Sequence, residues 1–253
     1  MKQFYLILLL FVANHSYAQK KDTVIISPAN ILTKNVPLGH HKYLVYFKKG
    51  KDSSSINFQI WNLTVKKEDY NGRPAISIDQ FWEDNAEVVH RVNSVSDAKD
   101  FRPIYQTSWW KTRGTTITNF VAKTATFPDQ LFRKNPDSSR KVALSAFQKA
   151  TNEYALNWHL DLSTFSMLPF KDGITFGINY YDAGFSAPQL QYYTVTGSAI
   201  FEGVERSKTE CWLLTHESPN NKEIFWISKN TKEVLKLEQQ FGKMYRYKIK
   251  IAL

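Results

Sequence analysis

Cys211-Trp-Leu-Leu-Thr-His-Glu217, Glu223-Ile-Phe-Trp-Ile-Ser-Lys229, Glu233-Val-Leu-Lys-Leu-Glu238 and Lys243-Met-Tyr-Arg-Tyr-Lys-Ile-Lys-Ile251 follow one another in the last part of the chain. Each is a short run with an alternating pattern, and turn residues separate them. That is the signature of an antiparallel meander. Trp212 and Leu214 share a face, as do Ile224 and Trp226, and Leu235 and Leu237. Asn230-Thr231 and Phe241-Gly242 make hairpin turns. In the last run Tyr245, Tyr247, Ile249 and Ile251 oppose Met244, Arg246, Lys248 and Lys250. This predicts a sheet whose Tyr/Ile face is dry and whose Lys/Arg face is wet.

The same signal extends upstream. Runs at 43–48, 56–61, 76–82, 88–92, 104–110 and 115–121 alternate between turn segments such as Asn71-Gly72-Arg73-Pro74. Strands resume at 174–181 and 190–199, where Gly197 marks a bulge or bend. Between these groups the pattern changes. Ser139–Tyr154 carries helix formers with Val142, Ala146 and Ala150 on one side, and 157–168 reads as mostly helical through Leu160, Phe165 and Leu168. The expected fold is mainly β, an antiparallel spiral roll or half-barrel of about twelve strands with a helical segment near 140–168. There is no βαβ alternation, which excludes a doubly wound nucleotide-binding fold. The domain plan is a leader at 1–18, an extended arm at 19–41 and one rolled β domain at 42–253.

Met1-Lys2, an apolar run from Phe4 to Ala13, and small residues Ser16 and Ala18 read as a secretory signal peptide cut before Gln19. A bilayer-spanning helix needs roughly 20 apolar residues, and this run falls short. No Cys stands at the junction, so the lipid-anchored lipoprotein pattern is absent. No later segment is apolar enough to span, so the expected product is exported, periplasmic or outer-membrane-associated. Cys211 is the single cysteine, which excludes an internal disulfide and reads as a buried thiol in a strand. Asp22-Thr23-Val24 resembles a short acceptor pattern for O-glycosylation in some envelope proteins.

The formal charge is +10, one unit of which is Lys2. The positive residues are scattered and read mainly as solvated surface, with contact to anionic lipid or polymer second. Nucleic acid is not expected for an exported chain. Among the histidines, His159 and Asp161 are two apart, and Asp79, Glu83, Asp84 and Glu87 form an acidic cluster. Paired carboxylates hydrolyse glycosides, but acid-rich loops are also ordinary solvated surface. No metal-ligand spacing, nucleophile elbow or phosphate loop is present. No metal or other cofactor is implied, and the reading is non-catalytic. The aromatic content is high, with 17 Phe, 13 Tyr and 7 Trp. Core packing accounts for many of these; a concave cleft lined by aromatics is the other reading. The candidate ligand-binding residues are Trp82, Trp109, Trp110, Trp158, Trp212 and Trp226. Trp109-Trp110 is the sharpest pointer, because strand neighbours face opposite ways.

Asn157-Trp158-His159-Leu160-Asp161-Leu162, Cys211-Trp212-Leu213-Leu214, Phe225-Trp226-Ile227-Ser228-Lys229 and Glu233-Val234-Leu235-Lys236-Leu237-Glu238 resemble exported envelope proteins of the domain-of-unknown-function-3108 kind. The Trp-Ile-Ser-Lys and Val-Leu-Lys pair is also similar to a strand pair in lipoprotein carriers of the LolA/LolB type. The resemblance implies a rolled antiparallel sheet with a helical plug and an apolar cavity, and it brings no catalytic residues. The functional expectation is a non-catalytic envelope protein that holds a lipid or acyl chain in a concave sheet. At roughly 25 cal/mol per Å², a few hundred Å² of apolar contact supplies several kcal/mol before association costs. The alternatives are a structural module that binds an envelope protein or glycan, and a hydrolase using the acids above or the His159/Asp161 pair.

Overall fold

The computed structural model describes residues 22–132, 136–203 and 207–251. The expected signal peptide lies outside the described residues. Fifteen strands form one open sheet. The first, β1 (Thr23–Ile25), pairs in parallel with β10 (Thr175–Tyr181). The sheet then runs antiparallel from β10 through β11 (Gln189–Glu202), β12 (Lys208–Ser218), β13 (Asn221–Ser228) and β14 (Val234–Phe241) to β15 (Met244–Ile251). Strand β15 pairs with β2 (Gly39–Lys48), placing Tyr245 opposite Lys48 and Lys250 opposite Tyr43. The sheet continues through β3 (Ser55–Tyr70), β4 (Arg73–Asp84), β5 (Glu87–Asp97), β6 (Pro103–Trp110), β7 (Gly114–Asn119) and β8 (Thr124–Thr126). A two-residue strand, β9 (Leu156–Asn157), shares the free edge of β10 with β1.

All twelve expected strands are present, with a bulge at Gly197 as its position suggests. Strands β1, β8 and β9 add to them; at two or three residues each they are too short to show a period of two. The expected arm is tied down. Beyond β1, Ile26, Ile31 and Val36 are buried in the main core, and Leu32 N–H donates to the Met167 carbonyl.

Helix α1 (Pro136–Asn152) buries Ala146, Phe147 and Ala150. Its Phe147 ring meets both Phe120, just past β7, and Tyr181 of β10, and those two rings lie 6.3 Å apart. The two ends of the sheet are thus rolled toward each other, with α1 across the gap. The expected helix over 157–168 is shorter than anticipated. It consists of β9, one 3-10 turn over Trp158–Leu160 and α2 (Asp161–Ser166). Asn157 caps this turn by accepting from His159 N–H. Leu162, Thr164, Phe165 and Ser166 are all buried, so α2 is a plug enclosed on all sides rather than an amphipathic helix.

The face of the sheet toward α2 is its inner face. Register fixes it: Leu214, Phe225, Leu237, Lys248 and Val45 stand directly opposite one another across five strands, and all are buried. This overturns the predicted polarity of β15. Arg246 and Lys248 face inward, whereas Tyr247 stacks on Tyr46 at 5.1 Å on the outer face. Alternation marks two faces but not which one is inside. Here the inner face carries the charges because acidic partners wait there.

Candidate ligand-binding site

The structure holds a cluster of buried charges, a cluster of aromatic rings and one open groove. In the first cluster, Lys248 is 3% exposed and Glu223 4%. Lys248 Nζ lies 3.7 Å from Asp161 Oδ2 at the start of α2 and 4.2 Å from the centre of the Trp61 ring. Burial pulls the Lys248 ammonium down to about 8; Asp161 opposes that shift and Arg246 adds to it. The Glu223 carboxyl is pushed up by burial and held back by Arg246. Its Oε1 accepts from Gln239 Nε2 at 2.7 Å. A third pair sits further along β15, where Lys250 Nζ donates to Glu233 and His41 Nδ1 lies 3.4 Å from the same carboxylate. These charges are neutralised locally, as buried charges must be.

The second cluster is aromatic. Register sets Trp61 opposite Trp82, Trp82 opposite His90 and His90 opposite Trp110. Trp61 and Trp82 stack face to face at 3.7 Å, and His90 stacks on Trp110 at the same separation. His90 is fully buried, with Nδ1 2.8 Å from the Trp109 carbonyl oxygen. Burial, aided by neighbouring His159, lowers its pKa to about 3. His159 turns to Asp182, with Nε2 3.6 Å from Oδ1, and not to Asp161. The pair expected from the sequence is therefore split, because the 3-10 turn between them sends one side chain to β10's end and the other to β15.

The six candidate tryptophans fall into different places. Trp82 and Trp110 meet edge to face at 5.3 Å. Trp158 packs edge-on against Tyr180 at 5.2 Å, and Trp212 stacks on Phe170 at 4.7 Å with Lys232 Nζ 4.4 Å above it. Trp109 and Trp226 do not join them. Trp109 alternates with Trp110 and stands opposite Arg91 and Thr115, while Trp226 faces outward beneath Lys236 Nζ at 5.0 Å. The inner indoles are engaged by one another, by His90, or by Tyr180 and Phe170, so the concave lining expected to receive a ligand is itself packed. Trp61, absent from the candidate set, links both clusters. The acidic group is dispersed into cross-strand contacts: Asp79 accepts from Asn93, Glu83 from Asn62, and Glu87 pairs with Lys111.

Open space lies instead beside α1. A groove of 590 Å³ runs between the helix and the 184–187 turn, with Phe132, Val142, Ala146 and Phe185 on its walls. Val142 is 69% exposed and Phe185 48%. Val142 was expected on the core side with Ala146 and Ala150. At 100° per residue it sits at the edge of that stripe, and Ala143 and Phe147 take the core side. A second recess of 610 Å³ shares Phe132, Gly184 and Phe185 and adds Arg113, Gln130 and Leu131. Two glycines allow these walls to close. Gly184 has φ +84°, and a Cβ there would lie 2.5 Å from Leu131 Cδ2; Gly114 has φ +81°, and its Cβ would lie 2.9 Å from Pro128 Cβ.

The model of a family described as "Protein of unknown function (DUF3108)" matches residues 42–250, from within β2 to the end of β15. The chain belongs to the DUF3108 family. Its match covers the aromatic cluster, the charged cluster apart from His41, the groove and all six candidate tryptophans of this DUF3108 chain. No curated protein and no solved structure matches it. Among the described residues of this DUF3108 protein, no helix is long and apolar enough to cross a membrane.

Proposed function

We propose that this DUF3108 protein is an exported, non-catalytic envelope protein that binds an apolar or amphipathic ligand, such as a lipid or acyl chain. The groove beside α1 receives it, in place of the packed concave face. The observation that carries this reading is the 590 Å³ groove with Val142 and Phe185 exposed on its walls. Its volume falls in the range of small-molecule sites. Large apolar side chains held open to water on facing elements mark a surface that gains from being covered. The apolar run and small residues ahead of Gln19 support export.

Native mass spectrometry of the protein purified from its own envelope tests the reading. A co-purifying lipid is expected, and Val142→Glu, a change at an exposed site, is expected to strip it while leaving the melting temperature within about 2 °C. Absence of any bound lipid, together with unchanged tryptophan fluorescence when lipid is added, would sink it.

A second reading is an interaction module for an envelope protein or glycan. It is favoured by a 460 Å³ depression on the outer face, where Trp109, Phe81, Arg91 and Asn93 lie together. Crosslinking in cells through Trp109 then traps one dominant partner, independent of lipid.

A further inference from the structure

We propose that the groove's ligand is a single-chain amphiphile with an anionic head, and that Arg113 receives that head while the chain lies along α1 toward Val142. This rests on the groove reading above and adds the ligand's charge and its direction. Arg113 sits at the tip of the β6–β7 hairpin. Its guanidinium carbon lies over two rings, 5.4 Å from the centre of Trp110 and 5.0 Å from that of Phe185. Two ring contacts restrain the group through its π-face and leave its N–H donors free to bind.

Two other cations beside the groove are paired. Arg140 is paired with Asp129, and Lys149 lies 3.8 Å from Glu153. Asp182, the carboxylate closest in the chain to Phe185, faces His159 at 3.6 Å and feels Arg113 only from beyond ion-pair distance. Among the described residues Arg113 has no ion-pair partner and its guanidinium makes no hydrogen bond. It lines the 610 Å³ recess that shares Phe132, Gly184 and Phe185 with the apolar trough. The path from its guanidinium to Val142 therefore runs through two adjoining recesses, cationic at Arg113 and walled by Phe132, Phe185 and Ala146 together with Ser139 and Ser186. A planar, preorganised guanidinium fits a carboxylate in a bidentate manner, so a long-chain carboxylate is the ligand the geometry favours.

The test compares three twelve-carbon amphiphiles that share a chain and differ in head: laurate, dodecanol and dodecyltrimethylammonium. Each is titrated calorimetrically into the full-length protein below its critical micelle concentration. Laurate is expected to bind about five-fold tighter than dodecanol, the size of a preorganised but solvent-exposed charge contact, with the ammonium weakest. Arg113→Gln is expected to bring laurate and dodecanol together, and Arg113→Lys to retain part of the preference. Equal binding of laurate and dodecanol by the wild type, or a preference that survives Arg113→Gln, overturns the assignment. In either case a dodecanol signal lost in Val142→Glu would leave the groove reading standing. Failure of all three amphiphiles to bind overturns both.

Discussion

The inner face of β13–β15 and the inner face of β3–β6 are both buried, yet they are built in different ways. Toward the C-terminus, Lys248, Arg246, Glu223 and Asp161 are charged side chains set against opposite charges. Across β3–β6 the corresponding surface is Trp61, Trp82, His90 and Trp110, stacked ring on ring, with a histidine kept neutral by burial. The first solution depends on pairs and fails when one partner is removed. The second depends on area and fails when shape is lost. Trp61 sits at the join, stacked on Trp82 and lying beneath Lys248.

The sharpest way to break this contrast is Trp82→Ala. It removes the stack with Trp61 and the edge contact with Trp110 and leaves a cavity, and it is expected to cost about 4 kcal/mol in urea denaturation. In the charged half, Lys248→Met leaves Asp161 without its cation and is expected to cost about 3 kcal/mol. Combining it with Asp161→Leu should restore stability to within about 1 kcal/mol of wild type, since a matched apolar pair replaces a matched charged one. A double variant no more stable than Lys248→Met alone would show that the charges do not act as a pair.

Acid separates the two halves further. The folded pKa of His90, near 3, lies below its ordinary 6.5, so between those values the unfolded chain binds the extra proton. Its contribution is intact above pH 6.5 and is lost as pH falls toward 3, by up to about 1.4 kcal/mol per pH unit. His90→Phe should flatten that part of the stability profile, and an unchanged slope would place the acid sensitivity elsewhere. The smallest effect is expected on the outer face, where Tyr247→Ala removes a half-buried stack with Tyr46 and should cost about 1 kcal/mol or less.

The strands were legible because each long run carries its own period, from Tyr43 to Ile251. Their polarity was not. In β15 the alternation of Tyr and Ile with Arg and Lys is plain, but hydrophobicity assigns the wrong side to the interior. What reverses it is Asp161, far away in sequence, whose carboxylate reaches Lys248 only once α2 is seated. The same limit applies to the candidate site. Composition pointed to tryptophan, and the structure brings Trp82 and Trp110 together, but it uses them on each other. Val142 and Phe185 gave no signal beyond being apolar, because their exposure depends on where α1 stops covering and on the close approach that Gly184 permits. Arg113 was one cation among many until the rings of Trp110, at the end of β6, and Phe185, in a distant turn, came to lie beside it.

The pairing of β15 with β2 has a consequence in time. These two strands lie at the middle of the sheet, yet they come from opposite ends of the described chain. A chain threaded from its N-terminus can build β2 through β7 as a meander from neighbours, and later β10 through β15 as another. It cannot join them until β15 has emerged. Until then each half presents an open long edge, and the inward-facing Lys248 has no Val45 beside it. Long-range closure of this kind slows folding and keeps the chain extensible. In a chain made from its N-terminus the seam acts as a delay, because the final structure waits for the last strand.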